Sequence, residues 1–166
     1  MPSARLSVVI ITLDEESTLP RCLQSVDFAD EVVVVDSGSQ DATCQVARQH
    51  GARVLVRPMQ GFGEQKQFAV DQASGDWILS LDADEWLSAP LQQSLRQLLA
   101  QPLDSQALQN GYFIWRRNIY LGRRCDFAAG TSPSCASSGA GGEASTTSWS
   151  TKRSSCKEVW GLCPAI

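Results

Sequence analysis

Histidine, net positive charge and long apolar runs are all scarce in this chain. Among its 166 residues the one histidine is His50, so a Ser-His-Asp triad or a histidine-built zinc site has little to draw on. Lys and Arg total 14 against 18 Asp and Glu, a net charge of −4. A nucleic-acid partner needs the opposite balance and is excluded as an expectation. No apolar run approaches the ~20 residues that span a bilayer. The longest, Leu6 to Leu13, is interrupted by Ser7 and Thr12 and lacks a small-residue cleavage site, so it does not read as a signal peptide. These absences lead to the expectation of a cytoplasmic protein. The G-x-G-x-x-G of a dinucleotide-binding domain is also missing after this run.

What is present is unevenly spread. Residues 1–124 hold 31 Val, Ile or Leu, whereas residues 125–166 hold three, and Ser, Thr, Gly and Ala supply 24 of those last 42 positions. A segment so poor in branched aliphatics buries too little apolar area to offset its chain entropy, which predicts a disordered or loosely packed tail. Cys125, Cys135, Cys156 and Cys163 also lie there, at spacings that match no metal pattern. A cytosolic setting disfavours disulfides between them. The chain therefore divides into a domain over 1–124 and a low-complexity tail over 125–166.

Within the first part, short apolar runs alternate with helical patterns. Residues 6–13 read as a buried strand, 31–35, 53–56 (short) and 77–81 as three more strands, and 112–115 as a fifth. Leu19, Cys22, Leu23 and Val26 form a helical stripe. Asp41 is placed to cap a helix over 42–49, and a third helix is expected over 64–73 with Gly75 at its end. Ser88 and Pro90 open a fourth, bearing Leu91, Leu95, Leu98 and Leu99. This alternation predicts an α/β fold, a mainly parallel sheet with helices on both faces, followed by a poorly structured tail.

Ligands of open α/β sheets bind beyond the carboxyl ends of the strands. Three of those ends are acidic: Thr12-Leu13-Asp14-Glu15-Glu16, Asp36-Ser37-Gly38-Ser39 and Asp82-Ala83-Asp84-Glu85. Carboxylates gathered in one crevice raise one another's pKa unless cations or donors compensate, and a divalent ion is the economical solution. Asp82 and Asp84, two apart as the chain leaves a strand, can approach one ion. Hard oxygen ligands select Mg²⁺ or Mn²⁺ and leave positions for phosphate oxygens; a solvated acidic turn is the alternative. Asp36 with Ser37 fits either a nucleobase contact or an Asx-type turn before the next helix. Thr12 and Glu15 fit contacts to base and ribose, or capping of the first helix. Lys66, entering a helix after Gly61-Phe62-Gly63, is one of few cations near the crevice and is suited to a phosphate, though a solvated lysine is the commoner case. Arg116, Arg117, Arg123 and Arg124, interleaved with Trp115 and Tyr120, suit an anionic acceptor, peripheral contact with a lipid surface, or a plain solvated face.

The phrases SVVIITLDEE, ADEVVVVDSGSQDAT, GFGEQKQFA and GDWILSLDADE, in this order and spacing, resemble the family 2 glycosyltransferases of GT-A fold. DEVVVVDSGS, GFG-x-QK and WILSLDADE are similar in particular to bacterial lipopolysaccharide-core transferases of the β-1,4-glucosyltransferase type. The resemblance covers roughly residues 5–124. It implies an inverting transferase that takes a hexose, glucose or a relative, from a nucleotide-diphosphate sugar, most often UDP-linked. The acceptor would be a saccharide or lipid-linked saccharide of the cell envelope, met at the inner face of the plasma membrane. Carried over residue by residue, Asp36 would contact the base, Asp82 would lie by the ribose and the metal, and Asp84 would bind the metal. Thr12 and Glu15 would line the nucleotide pocket.

The family pattern breaks after Leu121-Gly122-Arg123-Arg124, where aromatic and basic acceptor-side residues and the general base are normally found. The abrupt change has the form of a shifted reading frame or a truncated gene, which leaves the nucleotide-sugar domain incomplete and its base unidentified. A catalytically dead nucleotide-binding remnant is the alternative. A receiver-type signalling domain fits less well, because the third strand runs into Val56-Arg57-Pro58 with no acceptor aspartate.

Overall fold

The computed structural model describes residues 4–101, 111–120, 123–124, 134–138 and 155–164. The apolar run after Arg5 becomes the central strand β1 (Leu6–Thr12), and all seven of its residues are buried. It lies between β2 (Glu31–Asp36) and β4 (Trp77–Asp82), both parallel to it, and β3 (Arg53–Val56) adds on parallel to β2. The order β3-β2-β1-β4 reproduces the expected parallel sheet. The continuous Val/Ile/Leu character of β1, β2 and β4 follows from burial on both faces, whereas the edge strand β3 buries none of its four residues.

The two faces carry separate cores. Val8, Ile10 and Val34 pack with Leu19, Cys22, Leu23 and Val26 around α1 (Leu19–Ser25), Ala47 of α2 (Thr43–Gln49), and Leu91 and Leu95 of α4 (Ala89–Leu99). Val9, Ile11, Val33, Val35 and Ile78 face the other way, onto Ala69 of α3 (Phe62–Asp71). Helices on both faces are thus what alternating β1 residues demand. The fourth helix opens as its sequence predicts, with Pro90 in the first turn and the Leu91 N–H donating to Ser88 Oγ at 3.4 Å.

Several boundaries differ from expectation. The third helix starts two residues early, at Phe62, and ends at Asp71, so Gly75 is not its terminator. Gly75 is instead needed for a close approach: a Cβ there would lie 2.7 Å from Ser7 N and 2.8 Å from Arg5 O. Asp41 stands one position before the observed cap residue Ala42, yet its carboxylate still accepts the Thr43 N–H at 2.9 Å.

Past Asp82 the sheet becomes mixed. A three-residue strand, β5 (Glu85–Leu87), follows the acidic turn, and the expected strand near Tyr112 runs longer, as β6 (Gly111–Tyr120), pairing with the short β7 (Arg123–Arg124). In the tail, regular structure among the described residues is confined to β8 (Ser134–Ser138) and β9 (Ser155–Pro164). The full order is β3-β2-β1-β4-β8-β6-β9-β5, with β4-β8, β8-β6 and β6-β9 antiparallel and β9-β5 parallel. The remaining positions of 125–166, Cys125 among them, lie outside the described residues. Cys22 and Cys44 are free thiols. Among the described residues no helix is long and apolar enough to cross a membrane.

Candidate functional site

Parallel register brings the acidic strand ends level. Thr12 pairs with Asp36 and Ile11 with Asp82, so β2 and β4 flank β1 and end within a residue of each other. Two inter-strand spacings put the Asp36 and Asp82 backbones ~10 Å apart, within the reach of one nucleotide diphosphate.

At the ends of β1 and β2, the acids are compensated by the loops themselves. Asp36, 1% exposed, accepts the Gly38 and Ser39 N–H groups at 2.9 Å each and the Ser39 hydroxyl. Gly38 supports this turn with φ +104. Asp14 Oδ1 accepts the Gln40 N–H at 2.7 Å, and Glu16 Oε2 accepts that of Ala42 at 2.9 Å. In return, Ser39 Oγ and Asp41 Oδ2 accept the N–H groups of Asp14 and Glu16 at 2.9 and 3.1 Å. The Asp41 carboxyl is held below its ordinary value, first by the Thr43 hydroxyl. Glu15 sits at the start of α1: its N–H reaches Thr43 Oγ1 at 2.8 Å and its carboxylate accepts the Thr18 hydroxyl at 2.5 Å. Of the two compensations the sequence allows, cations or donors, backbone and hydroxyl donors serve the acids at the β1 and β2 ends.

The β4 end is arranged differently. Ala83 tucks into the core while Asp82 and Asp84 on either side of it remain half-buried. Lys66, from the second turn of α3, meets Asp82 with Nζ 2.8 Å from Oδ1, and both side chains are about four-fifths buried (17% and 21% exposed). The lysine is thus at the crevice, and a solvated helix lysine is excluded. Beneath the turn, Cys22 donates toward the Asp82 carbonyl at 3.7 Å. Its thiol is pushed up strongly by burial, and further by the charges of Glu85, Asp84 and Asp82.

Two residues were not anticipated. Gln65 is fully buried in the middle of the crevice wall: its Nε2 donates to the Arg57 carbonyl at 2.9 Å and to Ser37 Oγ at 3.2 Å, joining β3, the Ser37 loop and α3. Its place one residue before Lys66 in the glycine-bracketed helix entry was the available signal. Glu85 is fully buried against Arg116, with Arg116 Nε 2.9 Å from Oε1. Arg116 is 6% exposed, so it leaves the basic cluster expected from the sequence. The side chains of Arg117, Arg123 and Arg124 lie outside the described residues.

A divalent ion fits this donor set in one way. Among the described residues no group of three or more His, Cys, Asp and Glu side chains gathers to hold a metal. The two carboxylates of Asp82 and Asp84 are hard donors that leave an Mg²⁺ or Mn²⁺ shell to be completed by phosphate oxygens. Thr12 Oγ1, buried and without a hydrogen-bond partner, is a polar atom consistent with a ligand at the same strand ends.

A Rossmann-like α/β domain with polar and acidic groups at adjacent parallel strand ends presents its ligand crevice there. Residues 7–124 match the profile described as Glycosyl transferase family 2. The chain belongs to that family. It is 42% identical over 97 residues to an uncharacterised glycosyltransferase of Rickettsia typhi, covering 58% of this chain and 33% of the relative. It is 39% identical over 105 residues to the lipopolysaccharide core biosynthesis glycosyltransferase LpsC of Rhizobium meliloti, covering 60% and 39%. Among solved structures, glucosyl-3-phosphoglycerate synthase from Mycobacterium tuberculosis in complex with uridine diphosphate superposes with a TM-score of 0.50 at 30% identity, over 64% of this chain and 42% of that one. The matched region thus spans only a third to two-fifths of these relatives' own lengths.

Proposed function

We propose that residues 1–124 form the donor-binding part of a sugar transferase, taking a nucleotide-diphosphate sugar, UDP-linked, at the ends of β1, β2 and β4. The whole protein then passes a hexose, glucose or a relative, with inversion to a saccharide or lipid-linked saccharide of the cell envelope. The observation that carries this reading is the contact between Lys66 Nζ and Asp82 Oδ1 at 2.8 Å. It sets a cation and a carboxylate side by side where a diphosphate and its counter-ion need one of each. The LpsC relative and the UDP complex of the solved neighbour agree with it.

Each residue then has a role. Asp36 receives a base N–H in addition to shaping its loop, and Thr12, Glu15 and Ser37 line the nucleotide. Asp82 lies between ribose and ion, Asp84 holds the ion, and Lys66 pairs with a phosphate oxygen. When bound, Mg²⁺ or Mn²⁺ neutralises the diphosphate and stabilises it as it departs from the anomeric carbon. The acceptor hydroxyl must lose its proton to a carboxylate of the acceptor side, outside the residues named here.

Calorimetric titration of the chain with UDP and with UDP-glucose, with and without Mn²⁺, tests the reading. Binding of both, strengthened by Mn²⁺, is expected. No heat with either ligand refutes it. Binding without sugar transfer to any envelope saccharide assigns this chain the donor-binding role alone.

A further inference from the structure

We infer that Glu85, outside the Asp82-Ala83-Asp84 motif, is the positioning residue that fixes the acidic turn, and that Arg116 of β6 holds Glu85 in place for that task. The inference rests on the donor-binding reading above only for its consequence, not for its geometry. Glu85 Oε2 accepts the Asp82 N–H at 3.0 Å, closing the turn across three residues. Arg116 pairs with the same carboxylate, its Nη2 donating to Oε2 at 3.3 Å and its Nε lying 2.9 Å from Oε1 as an ion-pair contact. Neither residue is reached by solvent to more than 6%.

A buried ion pair is poor as a stabiliser, because desolvation of two charges offsets most of their attraction, and apolar residues of the same volume serve as well. What an apolar pair cannot do is accept the Asp82 N–H. Arg116 in turn makes this acceptor tolerable: Glu85 would otherwise add a third negative charge beside Asp82 and Asp84 and raise the cost of ionising them. The other flank of the turn is also pinned. The Leu87 N–H donates to Ser25 Oγ at 3.0 Å, and the Arg21 guanidinium lies 3.6 Å from the centre of the Trp86 ring. The Asp82 N–H is held by Glu85, and that bond fixes the start of the turn that carries Asp82 and Asp84.

Two double variants separate this role from mere packing. Glu85→Gln with Arg116→Met removes both charges and keeps a carbonyl for the Asp82 N–H. Glu85→Leu with Arg116→Met removes the acceptor as well. Urea unfolding establishes that both fold. The Asp82 amide is expected to exchange with solvent about tenfold faster in the leucine double than in the glutamine double, and Mn²⁺-dependent UDP affinity to fall about tenfold in the leucine double alone, as for other outer-shell partners of metal ligands. Equal amide exchange in the two doubles, or equal UDP affinity at equal stability, overturns the inference. If the leucine double does not fold, Glu85→Asp, which keeps the charge and withdraws the acceptor by one methylene, takes its place with the same expected outcomes. Absence of UDP binding in the unaltered chain would sink the donor-binding reading, while Asp82 amide exchange would still decide the role of Glu85.

Discussion

Replacing Lys66 by methionine keeps the volume of the side chain and removes its charge, and its effects on metal and on nucleotide should have opposite signs. The ammonium lies 2.8 Å from Asp82 Oδ1 with both side chains about four-fifths buried. That environment is intermediate between an exposed pair, worth 0.2–1 kcal/mol, and a dry one, so the contact is taken as ~1 kcal/mol. A cation arriving at Asp82 must displace this ammonium. Without it, Mn²⁺ alone should bind about fivefold more tightly, the equivalent of ~1 kcal/mol. A diphosphate, by contrast, loses a charge-assisted hydrogen bond of ~1.5–3 kcal/mol, so UDP affinity at saturating Mn²⁺ should fall about 10- to 100-fold. Free Mn²⁺ measured by its paramagnetic resonance during titration reads the first effect, and calorimetry with UDP reads the second. UDP affinity within twofold of the parent, or Mn²⁺ binding that weakens instead of tightening, would refute the assignment of Lys66 to the phosphates.

Two further predictions concern the fold beneath the site. Gly75→Ala drives a Cβ to 2.7 Å from Ser7 N and 2.8 Å from Arg5 O, both backbone atoms that cannot swing away. It should cost ~2–3 kcal/mol and lower Tm by about 5–10 °C in a thermal scan, whereas Gly63→Ala, with nothing within 4 Å, should leave Tm unchanged or higher. Glu31 supplies an acid-sensitive stabilisation. Burial pushes its carboxyl up, but hydrogen bonds from Ser7, Ser74 and Arg53 outweigh this and bring it from the ordinary 4.5 down to about 2. Because the folded value is the lower one, the contribution is fully present above pH 4.5 and fades as pH falls toward 2; the urea-midpoint difference between the parent and Glu31→Gln should be large at pH 6 and small near pH 2.

The central parallel strands were legible because β1, β2 and β4 are apolar on both faces, and the edge strand β3, which buries no residue, was legible from its short β-branched run alone. What escaped was whatever depends on a distant partner. β5 is three residues long and opens with a fully buried glutamate, which composition alone places in a loop. Its partner Arg116 lies 31 residues on, in a run of arginines that looks solvated until the sheet is assembled. β8 and β9 come from the tail whose Ser and Cys content gives no strand period, and their pairing is supplied by the longer, more apolar β6. At the site, Asp82, Asp84 and Lys66 could be named because strand ends point one way in a parallel sheet. That Gln65 would be buried could not, since its bonds run to Ser37 and Arg57, 28 and 8 residues away.

The division of labour among the carboxylates explains why an acidic crevice is compatible with an anionic ligand. A carboxylate filled by N–H donors is fixed in orientation and has little negative potential left to repel a phosphate. Asp14, Glu16, Asp36 and Asp41 each accept N–H groups from the opposite loop or their own, so the β1 and β2 ends are held in a fixed shape. Glu85 is balanced by Arg116. The negative charge that remains is concentrated in the Asp82–Asp84 turn, with Lys66 already beside it. Had all eight acids at these strand ends been left without donors or counter-charges, several cations would be needed before a diphosphate could approach. With loop donors orienting Asp14, Glu15, Glu16, Asp36 and Asp41 and Arg116 balancing Glu85, the ion and Lys66 act at Asp82 and Asp84. The same reasoning says where substitutions should be felt: changes at Asp14, Glu16 or Asp41 act through loop order at the nucleotide end, whereas changes at Asp82, Asp84 or Lys66 act on charge at the diphosphate end.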